Sequence, residues 1–417
     1  MSEKKNTGKK AVIAVIALIV VIIALVAVIS GKSKKGGSKS ATESGTEAGS
    51  ETMRSGQFDI DYAKQVTKLA DYSGVAITVS NDYEINDTAK QTYLTNVLQS
   101  YGADAYKQVT DRDTVADGDY VKVDYTGYKD GKAFDGGSAT DVLLDVTNNS
   151  QVGGSSFIDG FTKPLIGAKV GDKVKGDVTF PEDYGNDDLN GQTVTFEYTV
   201  KGIYSADPVA LADMTDEQVN TVFGKAGVTT NAQLTTQIEK DLKQKLYSAE
   251  VDKIKSYMIE NSTVEIPDEY LQARLNEYIA SFTKENVKDG QTLKKYLKSN
   301  YNMTVDQATE KWKENLTDQI KTEFIFGLIA EKENIKMDDD AFNSYVDYIV
   351  SASNGQFSKA SEVYKYFGSG HKDEGKTYLK NQYLVNKAID TVTEKANVTF
   401  EDGSAAPDTS SGSADAE

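Results

Sequence analysis

The sequence contains no cysteine, one histidine, one tryptophan and only five prolines in 417 residues. The first absence excludes disulfides, thiol nucleophiles, thiolate metal sites and lipid attachment to a cysteine. The lone His371 stands in the Gly-rich run GSGHKDEG, so histidine-based triads and His-rich metal centres are excluded. Positive charge is also short. Lys and Arg number 46 against 64 Asp and Glu, for a net charge of −18. Nothing neutralises phosphates over a broad face, which argues against nucleic acid as a partner. The pattern offers no phosphate loop and no ligand cluster, so neither cofactor nor metal is expected.

What is present begins with an apolar run. Residues 11–29, AVIAVIALIVVIIALVAVI, carry no charge. As a helix they extend roughly 28 Å, close to the hydrocarbon thickness of a bilayer. A cleaved signal peptide would have a shorter apolar core, about 7–15 residues. The run is therefore expected to be an uncleaved single-pass anchor behind a short basic tail at 1–10. Lys4, Lys5, Lys9 and Lys10 before it balance Lys32, Lys34, Lys35 and Lys39 after it, so the charge rule alone sets no orientation. The short tail and the long following chain favour a cytoplasmic N-terminus and an extracytoplasmic bulk at the cell membrane. Residues 30–56 are rich in Gly, Ser and Thr and read as a flexible linker, its ends about 30 Å apart.

Three further regions precede a terminal tail. In 57–115, Val75, Ile77 and Val79 alternate as a strand, and Asn86 to Val109 reads as a helix. In 116–204, Val121, Val123 and Tyr125, then Val174, Val178 and Phe180, then Val194, Phe196, Tyr198 and Val200 alternate with polar residues. Each is expected as a half-buried antiparallel strand with one polar face. Asp130-Gly131 signals a hairpin turn. In 205–400 the period becomes helical. Thr215–Gln218, Thr230–Gln233 and Thr304–Gln307 fit capping boxes, and Pro267 fits a first helical position. Long amphipathic helices carry Leu234 to Met258, Leu271 to Phe282, Ala308 to Leu328 and Leu384 to Val392. Residues 401–417 are acidic and expected to be disordered. The fold class is α+β, a small antiparallel β domain followed by an all-α domain.

Phe134, Phe157, Ile158, Phe161 and Tyr184 break the strand alternation, with Asp135 beside Phe134. On periodicity alone these aromatics are better read as core, plugging the end of a small sheet. However, VDYTGYKDGKAFDGG, FIDGF, LIGAKVGDKVKGDVTFPEDYG and VTFEYTVKGI, in that order, resemble the FKBP-type peptidyl-prolyl cis-trans isomerase domain, in the version found inside trigger factor. LADYSGVAITVS resembles the end of trigger factor's N-terminal domain. ENSTVEIPDEYLQARL and KNQYLVNKAIDTVTEKANVTF resemble its helical C-terminal domain. Most of the ribosome-binding domain has no counterpart. The loop from Thr147 to Ser156 is longer than usual, Asn186-Asp187-Asp188-Leu189 replaces a bulky flap residue, and no Arg follows Asp135 closely.

The resemblance implies an isomerase of X–Pro bonds. Tyr125, Phe157, Ile158, Phe161 and Phe196 would bind substrate, and Phe134, Asp135 and Tyr184 would act at the twisted amide. The Ile158 N–H and the Tyr184 hydroxyl would meet substrate carbonyls. It also implies helical arms that hold unfolded chains. The partners expected are unfolded or nascent exported polypeptides and, through 11–29, the lipid bilayer; a ribosome is not expected. The alternatives are a chaperone that uses the FKBP-like domain only for binding, and a surface adhesin.

Overall fold

The computed structural model describes residues 53–207, 209–288 and 290–409. In chain order the elements are α1 (Tyr62–Gln65), β1 (Val66–Lys68), β2 (Ala76–Val79), α2 (Asp87–Leu98), β3 (Asp119–Lys129), β4 (Lys132–Asp145), β5 (Ser150–Gln151), β6 (Lys173–Thr179) and β7 (Thr193–Ser205). There follow α3 (Asp216–Phe223), α4 (Asn231–Asn261), β8 (Thr263–Val264), α5 (Asp268–Asn286), α6 (Leu293–Tyr301), α7 (Val305–Lys332), α8 (Asp339–Ala352), α9 (Ala360–Phe367), α10 (Lys372–Glu394) and β9 (Asn397–Phe400). Mixed α+β with a β region followed by helices is what the patterning predicts. Among the described residues no helix is long and apolar enough to cross a membrane. The expected basic tail at 1–10 and the anchor at 11–29 lie outside the described residues.

The chain forms two compact units. The first is Ile85–Leu242. Its sheet has the order β5-β4-β3-β7-β6, every pair antiparallel. The alternation of the sequence sets the inner face, where Val121, Val123, Leu144, Val178, Val194 and Val200 are buried with Phe161 and Leu165. The other face departs from the expectation of a wholly polar surface. Leu143, one residue from Leu144, points the opposite way and is buried with Leu94, Leu98, Phe223, Leu234 and Ile238. Tyr120 and Tyr204 pack against the same cluster. So α2, α3 and the start of α4 cover that end of the sheet. The segment expected at 57–115 is accordingly divided, and so is the helical one at 205–400: their parts from Ile85 to Leu242 join the sheet unit. The helix expected over 86–109 stops at Leu98 and tightens into a 3-10 stretch, Gln99–Ala105.

The second unit takes the described residues up to Glu84 together with those from Lys243. Its central element is α7. Ala308, Trp312 and Leu316 join one cluster, Ile320, Phe324 and Leu328 another, and Ile325, Phe326 and Ile329 a third. The four-residue spacing predicts one buried face; the last turns, EFIFGLIA, are buried all round. Gly327 is required there, because a Cβ would stand 2.6 Å from the Tyr62 ring. Two strand pairs close the unit: β1 with β8 antiparallel and β2 with β9 parallel.

Helix starts follow their capping chemistry. Thr215 with Gln218 and Thr304 with Gln307 form both reciprocal bonds. The third box is half made: Gln233 N–H donates to Thr230 Oγ1, but Gln233 Oε1 accepts from the Thr229 N–H instead. Pro267 is the N-cap and α5 begins one residue later. The ends of two segments expected to be unstructured are docked. Arg54, inside the expected linker, pairs with Glu374 at 2.6 Å, and Ser55 donates twice to Glu277. Residues 401–409, expected as disordered, fold back along β9. Ala406 N–H donates to Val398 O, and the buried Thr409 hydroxyl donates to Glu250. An open strand edge offers unpaired backbone groups, and this stretch satisfies them.

Candidate functional site

The site is built at one end of the inner face of the sheet. Tyr125 on β3 and Phe196 on β7 project into it from adjacent strands. Phe134 reaches it through a bulge in β4: Thr126 faces Ser138 and Tyr128 faces Ala133, so four residues of β4 oppose Gly127 alone. Glycine is needed on both sides of that ring. A Cβ at Gly127 or Gly137 would stand 2.6 Å from Phe134. Phe157, Ile158 and Phe161 come from the irregular segment after β5, and Tyr184 from the flap after β6.

The rings form a contiguous layer. Phe157 stacks on Phe161 with centroids 4.2 Å apart and planes 12° apart. Phe161 meets Tyr125 edge-on at 5.1 Å and Phe196 at 4.8 Å. Phe134 lies edge-on to Phe196 at 5.9 Å and to Phe180 at 6.2 Å. Edge-to-face contacts suit the quadrupoles of the rings. Burial pushes the pKa of the Tyr125 and Tyr198 hydroxyls up, so both stay neutral. Open space lies at the margin of this layer, in a cavity of about 500 Å³ lined by Phe157, Ile158, Asp159, Thr179, Phe180 and Pro181.

Of the residues singled out in the sequence, Tyr125, Phe134, Phe157, Phe161 and Phe196 are brought into mutual contact, and Ile158 packs on the same core. Among the described residues no acceptor takes the Ile158 N–H, which leaves it available at the cavity wall. Tyr184 is 48 % exposed and reaches the layer through Phe180, edge-on at 4.5 Å. Asp135 is not brought in. The bulge turns it outward, where it is exposed and enters no hydrogen bond or ion pair among the described residues. Leu189, in the unusual flap run, is buried in the core beneath.

Several residues that hold this site were not singled out. Asn149 sits in the left-handed region, φ 50°. Its amide donates to the carbonyls of Phe157 and Ile158 at 3.1 and 2.9 Å, and its Oδ1 accepts from the Thr162 N–H at 3.0 Å. The long loop thus clamps the whole 157–162 segment. Tyr198 adds a buried hydroxyl that donates to the Phe161 carbonyl at 2.6 Å. An Asn-Asn pair tolerates left-handed turns, but that signal says nothing of what the side chain holds. Asn149→Ala is expected to lower stability by about 1–3 kcal/mol, the cost of leaving partly buried groups unpaired. Urea unfolding of the two proteins checks it.

The polar side chains lining the cavity are the hydroxyls of Ser156 and Thr179 and the carboxyl of Asp159, and among the described residues no His, Lys or Arg lines it with them. The arrangement can desolvate a bound group and offer it one backbone N–H and one exposed phenol.

Comparison with known proteins agrees with this chemistry. Residues 112–201 match the family of FKBP-type peptidyl-prolyl cis-trans isomerases. Residues 229–394 match the C-terminus of bacterial trigger factor protein. The trigger factor of Agathobacter rectalis is 29% identical over 330 residues, covering 78% of this chain and 69% of that protein. That of Clostridium botulinum is 29% identical over 276 residues, 66% of this chain and 62% of that one. A solved trigger factor chaperone aligns over 78% of this chain and 72% of its own at 19% identity, with a TM-score of 0.41.

Proposed function

We propose that this trigger factor-like chain, an FKBP-type peptidyl-prolyl cis-trans isomerase and chaperone, works as a membrane-anchored foldase on exported polypeptides. The isomerase part follows from its domain; the residue roles, the anchor and the clients are our reading. The observation that carries the roles is the aromatic layer with, at its open margin, an Ile158 N–H that no acceptor takes among the described residues.

An X–Pro bond rotates over a barrier of about 18–20 kcal/mol and takes tens to hundreds of seconds unaided. Resonance makes the planar amide more dipolar than the half-rotated one, and water stabilises the dipole. Moving the bond from water onto the rings of Tyr125, Phe134, Phe157, Phe161 and Phe196 removes that stabilisation. It penalises the planar form more than the twisted one. Such differential binding is what lowers a barrier. The Ile158 N–H and the Tyr184 hydroxyl hold the flanking carbonyls so that the prolyl ring turns against a fixed frame. Asp135, facing outward and without a partner among the described residues, is assigned to the rim and not to the reacting bond.

A proline-limited refolding or peptide assay on the chain tests the roles. Tyr184→Phe removes one hydroxyl without removing the ring. It is expected to lower kcat/KM about 3- to 10-fold, the effect of one hydrogen bond. An unchanged rate would remove Tyr184 from the site. A chain that binds proline peptides yet accelerates nothing would favour the binding-module alternative.

The anchor rests on the uncharged run at 11–29. Membrane fractionation and protease shaving of intact cells test it. Recovery in the soluble fraction, or a protected C-terminal region, would overturn it. Cosedimentation with ribosomes would overturn the restriction to exported clients.

A further inference from the structure

The long loop after β4 is fixed at its root. The Asp145 carboxylate accepts from the backbone N–H groups of Thr147 and Asn148 at 3.0 and 2.9 Å, and from the Asn148 amide at 2.8 Å. β5 then pairs back on Leu144 and Asp145. Asn149 lies between these two attachments, so its backbone starts from a fixed place.

Its side chain uses both ends. Oδ1 accepts from the Thr162 N–H at 3.0 Å and lies 3.2 Å from the Thr162 hydroxyl. Thr162 is only 2 % exposed, and its hydroxyl also reaches the Val146 carbonyl at 3.1 Å. The oxygen end of the amide is therefore anchored on the core. Its nitrogen end is left to donate to the carbonyls of Phe157 and Ile158.

The bond to Phe157 bears directly on the cavity. The Phe157 carbonyl and the Ile158 N–H belong to one planar trans peptide unit, so they point in opposite directions. A donor that holds the carbonyl from the loop side aims the N–H away from the loop. Phe157 and Ile158 both line the cavity, and among the described residues no acceptor takes that N–H. A hydrogen bond at the carbonyl also polarises the unit and strengthens the opposite N–H as a donor. Stacking of Phe157 on Phe161 fixes a ring, not the plane of this unit.

We propose that Asn149 is a positioning residue of the isomerase: through the Phe157 carbonyl it aims and polarises the Ile158 N–H that holds a client carbonyl beside the proline. The inference rests on the role given to Ile158 above. It gives the long loop a task in client binding, beyond the stability that its bonds provide.

The test uses the full chain and a capped tetrapeptide containing leucyl-proline, at a temperature where every variant is folded. A prolyl isomerisation assay is paired with NMR of isotope-labelled isoleucine amides. Asn149→Asp keeps an acceptor for Thr162 but has no donor for the two carbonyls. Asn149→Gly keeps the left-handed turn and removes the side chain. Both should lower kcat/KM about 5- to 10-fold, the effect of one hydrogen bond. The flanking carbonyl is held before and during rotation, so the loss should fall on KM with kcat little changed. Thr162→Val removes only the hydroxyl behind the amide; it should lower stability and leave KM at the parent value. In the parent, saturating peptide should move the Ile158 amide proton downfield, and in both Asn149 variants this movement should shrink. If the parent amide moves and the Asn149 variants match the parent in KM and in that movement, this inference fails and the Ile158 role stands. A rise in KM as large in Thr162→Val would mean general loosening and would also overturn it. If the parent amide does not move, the Ile158 role fails and this inference with it.

Discussion

Phe161→Ala is expected to lower the stability of the sheet unit by about 3–5 kcal/mol and to reduce isomerase activity more than tenfold. The ring is fully enclosed. It stacks on Phe157 at 4.2 Å and meets the edges of Tyr125, Phe196 and Tyr198 at 5.1, 4.8 and 5.4 Å. Truncation removes the shared neighbour of four rings and leaves a hole that the flanking strands cannot close, since Tyr125 and Tyr198 sit on paired strands. Phe157 then loses its support and swings into the space. The wall that carries Ile158 moves with it, so activity falls in the molecules that remain folded. Phe161→Leu should recover most of the stability and less of the activity. Denaturant unfolding and a prolyl assay at a temperature where both variants are folded separate the two effects. Equal activity in Phe161→Ala and the parent would place the reacting bond elsewhere.

Arg274→Met is expected to cost about 3–5 kcal/mol in the helical unit. Arg274 and Glu323 are both buried and paired twice, at 2.8 and 3.0 Å, and Arg274 donates again to the Tyr270 hydroxyl at 2.9 Å. The guanidinium also lies over the Tyr378 ring, 5.4 Å from its centroid. Burial works against its charge, but Glu323 beside it holds its pKa well above the usual value. Methionine fills the volume yet leaves the Glu323 carboxylate in the interior with no cation. The penalty comes from that orphan and not from the pair itself, so removing both partners should restore much of the loss. Arg274→Met with Glu323→Leu is expected to be close to the parent in urea unfolding, and a double variant no better than the single one would reject this account.

How much of this was legible differs by element. The alternation through Val121 and Val123 and from Val194 to Val200 names the inner face of the sheet, because each strand carries its own period. The capping Thr–Gln pairs mark helix starts for the same local reason. Leu143 and Leu144 show the limit: adjacent leucines at the end of a strand do not tell that helices cover the second face. Within the site, the aromatics were legible as a set, while Asn149 was not. Its work lies in four side-chain bonds across a loop, two to the carbonyls of Phe157 and Ile158 and two from the N–H and hydroxyl of Thr162, and a loop Asn has no periodic signature. Asp135 stood next to Phe134 in sequence, but a bulge separates the two, and only backbone register reveals which residue turns inward. The docking of Arg54 on Glu374 and of Thr409 on Glu250 joins residues far apart in the chain, with nothing local to announce it.

The pairing of β2 with β9 joins Thr78 to Thr399 across 321 residues. During synthesis from the N-terminus, Ile85–Leu242 is a continuous stretch whose sheet can pair as soon as Ser205 has emerged. The helical unit cannot close until β9 has been made, nearly the whole described chain later, and contacts at such separation form slowly. Its early segment around Ala76 must wait with an unpaired edge. A folding catalyst of this design passes through a long interval in which its own sheet unit can be complete while its helical unit is itself an unfinished client.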